Sequence, residues 1–173
     1  SYFFVIIGIY YQMIDTKTGE IIKRPEEIRI NPLIHPQEFD ILDFQKERYE
    51  HKYRSKSIRY KEFHYRFSTM DEKGNAFKVL LILSSNQLVE WQYCIKAVWF
   101  ENYDLLQIHD FYERLESLKD WNDAWMKSTF GESPEMIFWW GKIYSPPLNA
   151  KLETSPLLIS YDFEKLIEAK FEK

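Results

Sequence analysis

The two residues of this sequence best suited to acid–base or metal chemistry are Glu62 and His64. They lie two positions apart in an aromatic run typical of a β-strand, so both side chains should point to one face of a sheet. A carboxylate beside an imidazole can exchange a proton or bind a metal ion. Metal sites usually need three or four protein donors, so the third would have to come from another segment. The pair therefore predicts either part of a metal-dependent hydrolase or nuclease-like site, or simply a polar strand face.

Other catalytic signatures are missing. Phosphate-binding loops need clustered glycines, and the five glycines of this chain are far apart. No GxSxG or HExxH motif occurs, and a single cysteine, Cys94, excludes zinc sites built on paired cysteines. A reactive thiolate would need a nearby base or a helix N-terminus, and the sequence supplies neither beside Cys94. We therefore expect a modestly exposed or inert thiol, no cofactor, and binding rather than catalysis.

A basic segment, residues 46–66, is the strongest positive signal. It carries eight basic and three acidic side chains within a chain of formal net charge −4, and aromatic residues interleave with the cations. Cations that neutralise phosphates, next to rings that stack on bases, are typical of surfaces that bind RNA or single-stranded DNA. The alternative is a strand whose rings pack inward while its charges stay in water. The candidate binding cations are Arg48, Lys52, Arg54, Arg59, Lys61 and Arg66.

Two adjacent tryptophans, Trp139 and Trp140, form the second candidate surface. Ser133-Pro134-Glu135 has the order of a helix start and Gly141 can end that helix, so we predict a short helix between them. Neighbouring residues cannot share one helix face, and at least one of the two rings should be exposed. Exposed tryptophans are favoured anchors in protein interfaces, so both residues join the candidate binding set.

Strand patterns fill the first hundred residues. The apolar run from Tyr2 to Ile14 leads into the polar stretch 15–19, which predicts a hairpin loop. The runs 58–70 and 76–84 flank turn-forming residues and predict a second hairpin. A third strand is predicted from nearly strict alternation, with an inner face composed of Val89, Trp91, Tyr93, Ile95, Ala97 and Trp99.

Helix patterns follow Pro36 and fill much of the last third. After Pro36, a proline suited to a first helical turn, apolar residues keep helical spacing at Phe39, Leu42, Tyr49 and Tyr53. A long helix is predicted over 105–127, capped by Asp104 and kinked near Asp120. A final helix should begin after Asp162.

These elements predict one α+β domain spanning residues 1–173. Its mainly antiparallel sheet, with strands in residues 2–100, should be covered on one face by helices from the C-terminal third. The opening apolar run is about half the length of a membrane helix, so no membrane association is expected. One cysteine cannot form an intramolecular disulfide, and we expect a cytoplasmic location.

The leading functional hypothesis is a non-catalytic binding protein that sequesters or neutralises a macromolecular partner, in the manner of small inhibitors, immunity proteins or antitoxins. The missing catalytic motifs, the acidic surplus and the aromatic residues favour a protein partner. A nucleic acid bound through segment 46–66 is the first alternative, and an enzyme built on Glu62 and His64 is the second. The sequence leaves the oligomeric state open.

Overall fold

The computed structural model describes residues 13–42, 44–52, 59–85, 92–131 and 134–172. Strands in these ranges are β1 (Ile21–Lys23), β2 (Ile28–Ile30), β3 (Gln45–Lys52), β4 (Arg59–Met70), β5 (Ala76–Ser85), β6 (Tyr93–Asn102), β7 (Glu135–Phe138), β8 (Gly141–Tyr144) and β9 (Leu157–Tyr161). The helices are α1 (Pro36–Asp40), α2 (Tyr103–Leu106), α3 (Phe111–Phe130) and α4 (Phe163–Phe171), with a 3-10 turn at Ala150–Leu152.

A seven-stranded antiparallel sheet in the order β3-β4-β5-β6-β9-β8-β7 forms the framework, beside a two-stranded sheet of β1 and β2. The α+β class predicted from the sequence is confirmed, and the longer helices come from the C-terminal part of the chain. The sheet also takes three strands from that part, β7, β8 and β9. The predicted range for the strands, residues 2–100, omits these three. They are only four or five residues long, which is too short for a clear alternating pattern.

One face of the large sheet, here called the covered face, carries the core. Cross-strand neighbours such as Tyr65 with Leu81 and Leu81 with Val98 are fully buried on it. Burial of such side chains contributes roughly 1.5–3 kcal/mol each and is the main stabilising term. The same core cluster includes residues from α3, α4, α1 and the segment before α1: Met126, Leu166, Phe39, Met13, Ile14, Ile21 and Ile30.

A β-bulge in β6 changes which residues face the core. Ile82 pairs with Ala97 while Leu83 pairs with Ile95, so Lys96 is an extra residue without its own partner across the pair. Beyond the bulge, Val98 and Phe100 turn to the covered face and are buried. The predicted inner face, which continued through Ala97 and Trp99, is therefore wrong past Ile95. Val89 and Trp91 lie outside the described residues.

The hairpin predicted around residues 71–75 is confirmed as β4 and β5. Its turn is closed by the Asp71 backbone N–H, which donates to the Asn75 carbonyl at 3.0 Å. The Asp71 carboxylate also accepts from the Asn75 backbone N–H at 2.8 Å and side-chain amide at 2.7 Å. Local polar groups thus determine this turn.

Two helix predictions in the middle and last parts of the chain need correction. Helix α1 ends at Asp40, and residues 45–52 form strand β3, because they pair with β4 rather than continue the helix after Pro36. The helix predicted over 105–127 is divided into α2 and α3, and Asp110 caps the second by accepting from the Glu113 N–H. The helix predicted after Asp162 is confirmed as α4.

Candidate functional site

Trp139 and Trp140 form the two-residue turn of a β-hairpin, not part of a short helix. Strands β7 and β8 pair antiparallel, with Phe138 opposite Gly141. Gly141 adopts φ 153°, and a Cβ there would lie 2.1 Å from the Ser160 carbonyl oxygen of β9. The helix prediction is wrong because pairing of β8 with β9 outweighs the local start signal at Ser133-Pro134-Glu135.

Trp140 is fully buried and holds the loop at residues 15–19 in place. Its ring stacks on Phe138 at a centroid distance of 5.0 Å, and its Nε1 donates to the Thr16 carbonyl at 2.8 Å. Gly19 packs directly on the indole, because a Cβ at Gly19 would lie 2.8 Å from Trp140 Cδ2. Trp140 therefore packs against the 15–19 loop from the interior of the protein, and its buried ring is not accessible to a partner.

Trp139 is exposed and yet fixed. Half of its surface, 50%, is accessible, while its Nε1 donates to the Lys17 carbonyl at 2.7 Å. Tyr161 adds a third tie to the same loop, since its hydroxyl donates to the Gly19 carbonyl at 2.7 Å. The Trp139 ring is thus exposed to solvent on the β7–β8 turn and tied to the 15–19 loop, which also accepts hydrogen bonds from Trp140 and Tyr161.

A groove of about 760 Å³ opens beside Trp139, here called the Trp139 groove. Its walls come from the 15–20 loop, the segment 31–34, α1 and α4. The apolar part includes the buried residues Pro32, Ile34 and Leu166. Charged lining residues of both signs complete it: Lys17, Glu20, Glu38 and Lys170. This combination of an apolar floor, an aromatic edge and a few charges is typical of binding clefts.

The structure divides the candidate cations of segment 46–66 between two sides of the sheet. Arg48 pairs in register with Phe63 on the covered side, and its guanidinium lies 5.9 Å from that ring. Arg66 lies on the opposite side of the sheet, where its Nε is 3.7 Å from Oε1 of Glu47. Arg48, Lys61 and Arg66 are exposed. The backbones of Lys52 and Arg59 pair with each other, and Arg54 lies outside the described residues.

Phe63, the ring beside Arg48, is not available for stacking on a base. It is only 7% exposed, and Lys46 lies over it with Nζ 4.8 Å from the ring centroid. Lys46 is itself paired with Asp40 at 2.8 Å. The interleaving of rings and charges in this segment thus matches, at these positions, a strand with its rings packed inward.

The Glu62 and His64 side chains point to the same face, as their spacing predicts, and they contact each other. His64 Nε2 lies 2.7 Å from Glu62 Oε1, and Glu62 is buried at 7% exposure. A cation, Lys96 of the β6 bulge, lies 3.5 Å from the other carboxylate oxygen. Across the ranges that the structure describes, no group of three His, Cys, Asp or Glu side chains is placed to bind a metal ion.

The thiol of Cys94 is buried, and burial raises its pKa to about 12, with a smaller contribution from Asp162. Burial also raises the pKa of Tyr161 well above its ordinary value, and its hydrogen bond to Gly19 shows that the neutral phenol is the form that packs here. A nucleophile needs the opposite shift. The expected inert thiol agrees with this environment.

The groove could be anticipated only in part from the sequence. The tryptophan pair was visible as a candidate surface, but its exposed member is decided by contacts with residues more than 120 positions away. The four walls of the groove come from segments that share no motif. Leu166 and the residues around Pro32 carried no sequence signal beyond ordinary apolar character.

Among the described residues, no helix is both long and apolar enough to cross a lipid bilayer. A comparison with protein-family models, with curated proteins and with solved structures finds no match to the chain.

Proposed function

We propose that the protein is a non-catalytic binding protein that sequesters or neutralises another protein, as small inhibitors, immunity proteins and antitoxins do. The observation that carries the proposal is Trp139, a half-exposed tryptophan fixed at the edge of an apolar groove. Tryptophan is among the residues that contribute most to protein interfaces when it is placed at their centre.

The fixed position of Trp139 supports binding because it lowers the entropic cost of association. Ordering a mobile side chain in an interface costs roughly 0.5–1.5 kcal/mol. The hydrogen bond to the Lys17 carbonyl orders the Trp139 ring before any partner arrives. Its exposed surface is then free to enter a pocket or cover an apolar side chain of the partner.

Charge at the groove supports a specific partner rather than general adhesion. Glu20 is ion-paired with Arg29 at 3.4 Å, while Lys17, Glu38 and Lys170 are exposed around the opening. Charges at the edge of an interface mainly determine orientation and association rate. The formal net charge of −4 would additionally attract a basic partner.

A nucleic-acid partner and a hydrolase remain competing proposals. Exposed Arg48 and Lys61 support the first, but Arg66 lies on the other side of the sheet and Phe63 is covered. The Glu62 and His64 pair supports the second, but it lacks a third metal donor among the described residues. Steeply salt-dependent binding of single-stranded RNA would favour the nucleic-acid proposal over ours.

The proposal includes a cytoplasmic location. Cys94 is a buried thiol, and the core is held by packing around it rather than by a disulfide. Such a core is suited to a reducing compartment.

The test is affinity capture from a lysate of the source cells with the immobilised chain, its Trp139→Ala and Ala169→Glu variants, and a control. Ala169 lines the groove on α4, so a glutamate there should place a charge in the groove. The control is Tyr112→Ala, because Tyr112 is 68% exposed on α3 and does not line the groove.

The expected result is a stoichiometric protein that binds the wild-type chain and the Tyr112 variant, with affinity for the Trp139 variant lowered about 30-fold or more. Thermal unfolding of each variant checks that the fold is kept. Recovery of no stoichiometric protein, or equal recovery by all four chains, would contradict the proposal.

A further inference from the structure

A second cleft, of about 480 Å³, lies between α3 and the turn of the β4–β5 hairpin. Two tryptophans of α3, Trp121 and Trp125, line it from one side. The turn residues Asp71, Glu72 and Lys73 line it from the other. This α3 cleft is separate from the Trp139 groove, which shares none of its lining residues.

The two indoles of the α3 cleft are half-buried and held by packing. They are four residues apart and therefore lie on one face of the helix. Trp121 contacts Phe77 of β5 at a centroid distance of 5.3 Å, and Trp125 contacts Phe130 at 5.7 Å. Indole rings attract cations more strongly than other aromatic side chains do, and they are most effective when their position is fixed.

Two carboxylates, Asp71 and Glu72, line the turn side of the same cleft. Asp71 is held in place by two hydrogen bonds from Asn75, at 2.8 and 2.7 Å. Among the described residues, no lysine, arginine or histidine forms an ion pair with Asp71 or Glu72. The cleft also lies beside the last turns of α3, where the helix dipole adds partial negative charge. Among the described residues that line the cleft, Lys73 is the one cation.

From this geometry we propose that the α3 cleft binds a cationic side chain, arginine or lysine, of a protein partner. The indoles of Trp121 and Trp125 contact the guanidinium or ammonium group and its methylene chain. Asp71 and Glu72 supply the opposite charge, and Lys73 opposes binding. The proposal does not depend on the Trp139 groove, and either can fail without the other.

The test follows the indole N–H signals by two-dimensional NMR while the full chain is titrated with N-acetyl-arginine methylamide. The neutral citrulline analogue has the same shape and is the control ligand. The proposal predicts saturable shifts of the Trp121 and Trp125 signals with the arginine probe alone. The Trp139 signal is the internal reference and should not move.

Substitutions of charged residues in the turn test whether affinity for the probe changes in the direction that the charge predicts. Glu72→Gln should weaken binding of the arginine probe roughly two- to fivefold, and Lys73→Gln should strengthen it by a similar factor. The matched control is Glu116→Gln, which removes an exposed carboxylate of α3 that does not line the cleft. An equal response to citrulline, or equal effects of the Glu72 and Glu116 variants, would overturn the proposal.

A second titration, with tetramethylammonium, tests whether the site prefers a cationic side chain or a small free cation. A side-chain site should bind the arginine probe at least several-fold more tightly, because the methylene chain adds contact with the indoles. Tighter binding of tetramethylammonium than of the arginine probe would contradict a peptide ligand.

Discussion

Two hairpins of the large sheet, β4–β5 and β7–β8, are built in opposite ways. Strands β4 and β5 have 12 and 10 residues, and the turn between them is closed by Asp71 and Asn75, four positions apart. Strands β7 and β8 have four residues each, and their turn is fixed by loop carbonyls 122 and 124 positions away. The turn of the first hairpin is thus closed by its own polar groups, whereas the turn of the second makes its side-chain hydrogen bonds to a distant loop.

This difference also separates the two candidate binding sites. The α3 cleft uses a turn closed by hydrogen bonds between Asp71 and Asn75, so we expect that its other charged residues can be changed with little loss of stability. The Trp139 groove uses a turn that depends on Trp140 and on the 15–19 loop. Changes to buried residues under the groove should therefore destabilise this part of the protein, while changes at its surface should mainly affect binding and cost little stability.

The largest expected effect comes from Trp140→Ala. Because Trp140 is fully buried and ties the loop at Thr16, its loss should lower the free energy of unfolding by about 3–5 kcal/mol. Trp139→Ala removes a half-exposed ring and one hydrogen bond and should cost about 1 kcal/mol. Urea denaturation measures both values. Equal costs for the two tryptophans would refute the division of roles.

Glycine substitutions compare the two hairpins directly. At Gly141 a Cβ would overlap the Ser160 carbonyl of β9, so Gly141→Ala should cost about 3 kcal/mol. At Gly74, in the β4–β5 turn, φ is +85° and no heavy atom lies within 4 Å of an added Cβ. Gly74→Ala should then cost only about 1 kcal/mol, from backbone strain. Thermal unfolding of the two variants would contradict the comparison if Gly74→Ala proved the more damaging.

Asp71→Ala tests whether the β4–β5 turn is locally determined. Loss of both hydrogen bonds to Asn75 should lower the free energy of unfolding by about 1–2 kcal/mol. Glu72→Ala in the same turn is the control and should change it by less than about 0.5 kcal/mol. Chemical denaturation measures both variants, and an effect of Asp71→Ala no larger than the control would show that the strands alone determine the turn.

The smallest effect on stability at neutral pH concerns Cys94. Because its pKa is raised to about 12, the neutral thiol contributes stability that is fully present below the unfolded pKa, near 9. That contribution is lost as pH rises toward 12. At pH 8 the folded thiol should react roughly a thousandfold more slowly with Ellman's reagent than the unfolded thiol. Comparable rates in water and in denaturant would contradict a buried thiol.

The parts of the fold that the sequence predicts are those with local causes. The β4–β5 hairpin follows from strand patterns around turn residues, and α4 follows from the cap at Asp162. The β7–β8 hairpin does not, because Ser133-Pro134-Glu135 has the features of a helix start while the pairing of Ile143 with Ile159 determines the strand. The bulge at Lys96 likewise depends on the register of β5 against β6.

The candidate site divides in the same way. Residue type alone identifies Trp139 and Trp140 as a candidate binding surface. Spacing alone predicts that the side chains of Glu62 and His64 lie on the same face of a strand, where they are in contact. Neither property reveals that Trp140 lies under Gly19, or that Arg48 and Arg66 are on opposite sides of the sheet. Those facts follow from pairing between segments that are distant in the sequence.

The most direct test of protein binding through the Trp139 groove is photo-crosslinking in the source cells. A benzophenone amino acid replaces Lys170, an exposed residue that lines the groove, in one variant and Tyr112 in the other, so that Trp139 is kept in both. Adducts are analysed by mass spectrometry. The proposal predicts one discrete adduct, with a single protein, from position 170 and none from position 112. No adduct from position 170, or the same adducts from both positions, would contradict it.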